Sequence, residues 1–147
     1  MFTVGAFAII FDHRKRVLLC HRRDFDLWNL PGGRVEKREA PWAGIVREVN
    51  EETGLDVQIK KLIGIYFKPN KNELVFSFLC NIQRGRIHMT DEANKIDFFR
   101  YDDLPKNISK KQKERIKDAL DNLKRDQVIL KIQRGPSSIE LLKKKWS

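Results

Sequence analysis

Gly33-Arg34-Val35-Glu36-Lys37-Arg38-Glu39-Ala40-Pro41-Trp42-Ala43-Gly44-Ile45-Val46-Arg47-Glu48-Val49-Asn50-Glu51-Glu52-Thr53-Gly54-Leu55 is the stretch that decides how this chain folds. Pro41 suits the first turn of a helix, where a missing N–H costs nothing. From Pro41 to Thr53 the pattern is helical. Trp42, Ile45, Val46 and Val49 recur at spacings of three, four and seven and make one apolar stripe. Gly54 offers the left-handed conformation that closes a helix. Glu48, Glu51 and Glu52 stand at i, i+3 and i+4, so a helix puts them on one face. At about 100° per residue that face points away from the apolar stripe. One side of this helix is built to pack, and the other presents three carboxylates.

Three like charges at this spacing repel by roughly 0.2–0.5 kcal/mol per pair on an exposed helix, and by more where water is scarce. Solvated acidic faces are common on helices. Here, however, the cluster runs against a basic composition of net charge +10, and it lies between a Gly-Gly loop and a Gly cap. A hard divalent cation would relieve the repulsion, and carboxylate oxygens with retained waters are what Mg²⁺ prefers.

The same residues resemble the signature of the Nudix (MutT-like) hydrolase family, G-x5-E-x7-R-E-U-x-E-E-x-G-U, where U is a bulky aliphatic residue. Gly33, Glu39, Arg47-Glu48, Glu51-Glu52 and Gly54 fill the fixed positions, and Val49 and Leu55 the aliphatic ones. The resemblance implies an α/β fold, a mixed β-sheet in an α/β/α sandwich, from about residue 2 to residue 124. It implies Mg²⁺-dependent hydrolysis of a pyrophosphate bond in a nucleoside diphosphate derivative or nucleoside triphosphate, with Mn²⁺ able to substitute. It further implies that Glu51 and Glu52 are direct metal ligands and that Glu48 is a further ligand or the base that activates water. Arg47 and Glu39 would form an internal ion pair that positions the loop, and the backbone carbonyl of Gly32 would face the metal. A later acidic residue often completes such a site; Glu92 is favoured over Asp91 for that place.

Outward from the signature, Val4–Phe11 reads as a buried strand and Val17–Cys20 as a second, the two forming a hairpin. Val57–Phe67 and Leu74–Ile82 read as strands joined by a turn at Pro69–Asn72, and Phe98–Tyr101 as a short strand. Ser109-Lys110-Lys111-Gln112 resembles a capping box opening a helix with Ile116, Leu120 and Leu123 on its stripe. Val128–Ile132 reads as a late strand that Gly135-Pro136 breaks. The expected organisation is one domain, residues 1–135, followed by a basic tail or weak helix, residues 136–147.

Substrate contacts are less legible. Arg22 and Arg23 close a strand near the Gly-Gly loop and suit phosphate, Arg23 being preferred. Phe25, Trp28, Tyr66 and Phe67 are aromatics near the expected cleft that suit a base, although most aromatics in such a fold are core. Pro69, 15 residues after Gly54, leans slightly towards the ADP-ribose-cleaving members of the family. Residues 106–147 carry 13 Lys/Arg against 5 Asp/Glu, which is compatible with a solvated face or with attraction for polyanions. Cys20 and Cys80 read as small buried hydrophobes. No apolar run approaches the roughly 20 residues of a membrane span, so the protein is expected to be cytoplasmic and free of membrane. The oligomeric state is open, and a homodimer is compatible with the sequence. Two alternatives stand beside the small-molecule hydrolase: removal of the 5′ phosphates of RNA, and nucleotide sensing without catalysis.

Overall fold

The computed structural model describes residues 1–91 and 93–146, with side chains as far as Lys144. The strands are β1 (Thr3–Ile10), β2 (Val17–Arg22), β3 (Trp28–Asn29), β4 (Gly32–Arg34), β5 (Asp56–Lys68), β6 (Glu73–Arg84), β7 (Ala93–Phe99) and β8 (Ile129–Ile132). The helices are α1 (Pro41–Thr53), α2 (Lys110–Asp121) and α3 (Ser138–Trp146), and short 3₁₀ turns span Pro69–Lys71 and Tyr101–Asp103. Five strands form a mixed sheet in the order β4-β1-β6-β5-β8, and three form a second sheet, β3-β2-β7.

Period-two alternation along the central strands makes the sandwich. Ala6, Ala8 and Ile10 of β1, with Phe78 and Cys80 of β6, pack against Ile45 and Val49 of α1. Ile9 of β1 and Leu79 of β6 point to the other face and join Ile116 and Ala119 of α2. Successive side chains of a strand lie on opposite faces, so strands covered by helices on both sides are apolar at nearly every position. The expected α/β/α layering is therefore the observed one. Cys20 and Cys80 are both buried and free, and burial pushes the Cys80 thiol up to about 12. No helix of the described residues is long and apolar enough to cross a membrane.

Three expectations need correction. The β1–β2 hairpin does not extend beyond its turn: the Phe11–Val17 bridge and the Asp12 amide bonding Arg16 O close the reversal, and the two strands then run in different sheets. β1 instead pairs in parallel with β6, from Thr3–Glu73 to Ile10–Cys80, a partnership across some 70 residues that no local pattern announces. Trp42 leaves the apolar stripe and stands 60% exposed, because it lies in the first turn, ahead of the part of α1 that reaches the core. The strand expected at Phe98–Tyr101 is β7, which ends at Phe99, while Tyr101 opens a 3₁₀ turn. In the segment 136–147, where a basic tail or weak helix was expected, α3 spans Ser138–Trp146 and its first residues line the cleft described below.

Candidate active site

The Gly-Gly loop is in fact an edge strand. β4 pairs antiparallel with β1 through Phe7–Gly32, Ala6–Gly33 and Gly5–Arg34. Gly32 has φ +146°, and a Cβ there would sit 2.2 Å from the Ala6 carbonyl oxygen and 2.7 Å from the Phe7 Cα. Only glycine lets the chain run this close to β1. The reward for that approach is a contact across the site: the Gly32 amide donates to Glu52 Oε1 at 3.0 Å. Beside it, the position a Gly33 Cβ would take lies 3.3 Å from the Glu48 carboxylate, so a side chain at residue 33 would crowd that carboxylate.

α1 supplies the acids. Its C-terminal cap is Gly54 at φ +81°, whose amide bonds Asn50 O, so the helix ends directly after Glu51-Glu52-Thr53. Glu48 and Glu52 line a cleft of about 540 Å³, with Gly32 and Gly33. Glu51 does not line it; its Oε2 accepts from Arg47 Nη1 at 3.1 Å. Arg47 also grips Glu39 through Nε at 2.7 Å and Nη2 at 2.9 Å, and its Nη1 reaches Glu48 at 3.2 Å. One guanidinium thus fixes the loop before the helix to two acids on it. The paired hydrogen bonds from Arg47 hold the Glu39 carboxyl down at about 2 and raise Arg47 above the ordinary arginine value.

The donor set around Glu48, Glu52 and β4 consists of carboxylate and backbone oxygens, which suits a hard divalent cation. The small cradle left by the missing Gly33 side chain, against the Glu48 carboxylate, keeps that oxygen uncovered. Among the described residues no three of His, Cys, Asp and Glu already converge into a closed metal cluster. Glu92 lies outside the described residues. Asp91 lines the cleft.

Arg22 and Arg23, expected as phosphate contacts, both line the cleft, but neither side chain is loose. Arg22 makes a two-pronged pair with Asp24 at 2.7 and 2.6 Å and lies 5.6 Å above the Phe25 ring. Arg23 donates to the Thr90 carbonyl at 2.8 and 3.3 Å, while Thr90 donates to Glu52 O at 3.1 Å, so this loop is tied to both walls. The aromatics expected at the cleft lie elsewhere. Trp28 packs edge-on between His21 and Phe99, Phe67 against Phe2, and Phe25 under Arg22. Tyr66 is fully buried and donates to Asp118 Oδ2 at 2.8 Å.

Sequence reasoning missed Phe7, Lys68, Lys71, Lys111 and Arg115, all of which line the cleft. Phe7 reads as one more apolar residue of a strand, and the four cations as parts of a turn and a solvated helix face. A signal for one of them was available: Arg115 falls one residue before Ile116 on an amphipathic helix, inside the edge of the buried stripe.

The family model of the NUDIX domain matches residues 1–120. A protein of Bacillus subtilis (strain 168), named as a candidate 8-oxo-dGTP diphosphatase, is 38% identical over 86 residues, 58% of this chain and 58% of its own. An ADP-ribose pyrophosphatase of Methanocaldococcus jannaschii is 32% identical over 104 residues, 66% of this chain and 62% of its own. These matches therefore span about six-tenths of the length of those relatives. The crystal structure of an ADP-ribose pyrophosphatase from Streptococcus suis 89-1591 superposes with a TM-score of 0.76 at 26% identity, covering 90% of this chain and all of the other. With the signature folded as one wall of the cleft and the family match covering most of its length, this chain belongs to the Nudix family.

Proposed function

We propose that this protein is a Mg²⁺-dependent Nudix pyrophosphohydrolase whose substrate is a nucleoside diphosphate linked to a second group, with ADP-ribose the first compound to try. The observation that carries the reading is the meeting of Glu48, Glu52, Gly32 and Gly33 on one wall of a cleft. Its volume, about 540 Å³, falls within the roughly 300–1,000 Å³ of small-molecule sites, which favours a nucleotide over a long RNA. Two similar proteins carry the name ADP-ribose pyrophosphatase, which supports the choice of first substrate. A nucleoside triphosphate is the second reading, supported by the name of the Bacillus subtilis relative.

Glu48 and Glu52 would hold the cation, with Glu51 beside them on the same helix face and the backbone of Gly32 next to Glu52. A bound Mg²⁺ supplies charge neutralisation at the diphosphate and lowers the pKa of water. The chain's own residues do the rest. Glu48, beside the open Gly33 position, accepts the proton of the attacking water as its oxygen bonds to phosphorus and the bridging P–O bond breaks. The leaving group departs as a phosphate ester. Arg47 and Glu39 act by position: they fix the helix and the loop ahead of it. Arg23, already anchored at Thr90, presents its guanidinium to the phosphates, and Arg22 can do so from its pair with Asp24.

The test is release of nucleoside monophosphate with Mg²⁺ across ADP-ribose, sugar nucleotides, dinucleoside polyphosphates, ordinary and oxidised dNTPs and 5′-triphosphate RNA, with Glu52→Gln as the blank. Turnover of ADP-ribose that disappears in the blank supports the proposal. Turnover confined to triphosphates moves the assignment to the second reading, and turnover of RNA alone overturns both.

A further inference from the structure

The carboxylate wall is one end of the cleft. The other end is cationic, built by Lys68 at the end of β5, Lys71 in the 3₁₀ turn, and Lys111 and Arg115 on α2. Lys68 pairs with Glu73 at 2.9 Å and Lys71 with Glu140 of α3 at 3.3 Å. Lys111 and Arg115 are different. Among the described residues neither has a carboxylate within ion-pair distance. Lys111 Nζ donates to the Gly135 carbonyl at 2.7 Å, and Arg115 Nε to Gln133 Oε1 at 3.1 Å, both neutral acceptors.

Arg115 is 2% exposed, and its Nη1 finds no hydrogen-bond partner among the described residues. A buried guanidinium with an unused donor costs several kcal/mol unless something pairs with it. Its charge is spread over two rings, Phe7 at 5.3 Å and Tyr66 at 5.6 Å, which orient it but offer no acceptor. Burial draws Arg115 down to about 10, against the pull of Glu73 and Glu114, and also lowers Lys111, where the neighbouring cations Lys68, Arg115 and Lys71 outweigh Glu140. An anion entering here would meet several cations, two of them with no carboxylate in ion-pair contact among the described residues. Ser137 and Ser138, at the start of α3, line the same end; the Ser137 hydroxyl caps α3 by accepting from the Glu140 amide at 3.1 Å. A helix start adds partial positive charge.

Phe7 separates the two ends. Its ring lies against Gly32, where a Cβ would be 2.8 Å from Phe7 Cδ1, and Arg115 sits over the same ring.

We propose that Lys111 and Arg115, with Lys68 and Lys71, form an anion subsite that takes a phosphate monoester carried by the substrate, separate from the diphosphate that is cut. The proposal rests on the reading of the chain as a nucleoside diphosphate hydrolase and narrows it to substrates that carry a further phosphate monoester. A phosphate dianion offers Lys111 and the Arg115 guanidinium a charged acceptor, which a neutral ribose hydroxyl does not.

Two measurements test it. The first is the ratio of kcat/KM within matched pairs: ADP-ribose 2′-phosphate against ADP-ribose, and coenzyme A against dephospho-coenzyme A. In at least one pair the phosphorylated member should be preferred by roughly 10–100-fold, the worth of one charged hydrogen-bonded contact. Lys111→Gln and Arg115→Gln should each bring that ratio towards one. The second measurement needs no turnover: the rise in Tm that inorganic phosphate gives in EDTA should be present in the wild type and lost in Lys111→Gln. Lys111 is only half-buried, so this variant folds even if Arg115→Gln does not. Preference in neither pair, with no rise in Tm from inorganic phosphate, overturns the subsite altogether. Phosphate binding lost in Lys111→Gln without discrimination between substrates shows a site for free anions and overturns the assignment to substrate. A protein that hydrolyses nothing but shows the phosphate effect keeps the subsite and loses the proposed function instead.

Discussion

Gly32 and Gly33 are adjacent glycines in one strand, yet the same change to alanine should damage different properties. At Gly32 the new Cβ would be 2.2 Å from a backbone oxygen and 2.7 Å from a backbone carbon of β1, at φ +146°. No rotamer relieves a backbone clash. The conformation alone costs about 1–3 kcal/mol for a residue with a side chain. Moving β4 from β1 forfeits further hydrogen bonds at about 1 kcal/mol each. Gly32→Ala should therefore lose at least about 3 kcal/mol, a fall in Tm of roughly 6–12 °C for a chain of this size. At Gly33 the new Cβ would be 3.3 Å from Glu48, the far end of a flexible side chain. The carboxylate can shift by a few tenths of an ångström at less than about 1 kcal/mol, partly offset by the reduced freedom of the unfolded chain. Because the shifted group faces the reaction, kcat should still fall about tenfold or more. Thermal unfolding and steady-state hydrolysis of both variants provide the comparison. A Gly32→Ala protein that melts with the wild type, or a Gly33→Ala protein that melts far below it while keeping full kcat, would refute the reasoning.

Further outcomes are expected. Glu39 is held at about 2 against an ordinary 4.5 by Arg47, so the stability it contributes is fully present above about pH 4.5 and is lost as pH falls towards 2. Acid unfolding of Glu39→Gln should lack that segment of the curve, and a profile identical to the wild type between these limits would contradict the pairing. Tyr66→Phe removes a buried hydroxyl that donates to Asp118 at 2.8 Å and should cost about 1.5–3 kcal/mol in urea unfolding. A loss much smaller than this would show that the Lys131 contact to Asp118, also 2.8 Å, carries that carboxylate alone. Cys80, with its thiol pushed up to about 12, should resist a disulfide reagent until the protein unfolds; rapid native labelling would mean that the strand opens.

The helix that carries the carboxylates was legible because its information is local: Pro41 opens it, Gly54 closes it, and the acids share a spacing of three and four. The pairing of β1 with β6 was not, because parallel strands need no turn between them and leave no mark on neighbouring residues. Val4–Phe11 and Val17–Cys20 imitate a hairpin, since a short polar link is all that a hairpin shows. Trp42 fitted the period and still faces water, because periodicity names a face and not how far along the helix the core extends. The aromatics misled for the reverse reason: Trp28 and Phe67 found ring partners, while the ring in the cleft, Phe7, looks like any core residue of β1. Lys111 and Arg115 read as helix-surface charges, and only the fold shows that β5, α2 and α3 enclose them.

The most direct test of the account is a Mg²⁺ titration of ADP-ribose hydrolysis with metal-stripped protein, run on the wild type and on Glu52→Gln. Turnover should be absent without the cation, recover saturably in the wild type, and not recover in Glu52→Gln although that variant melts as a folded protein. Full turnover in EDTA, or recovery in Glu52→Gln equal to the wild type, would contradict the claim that the carboxylates of this helix are where the pyrophosphate is cut.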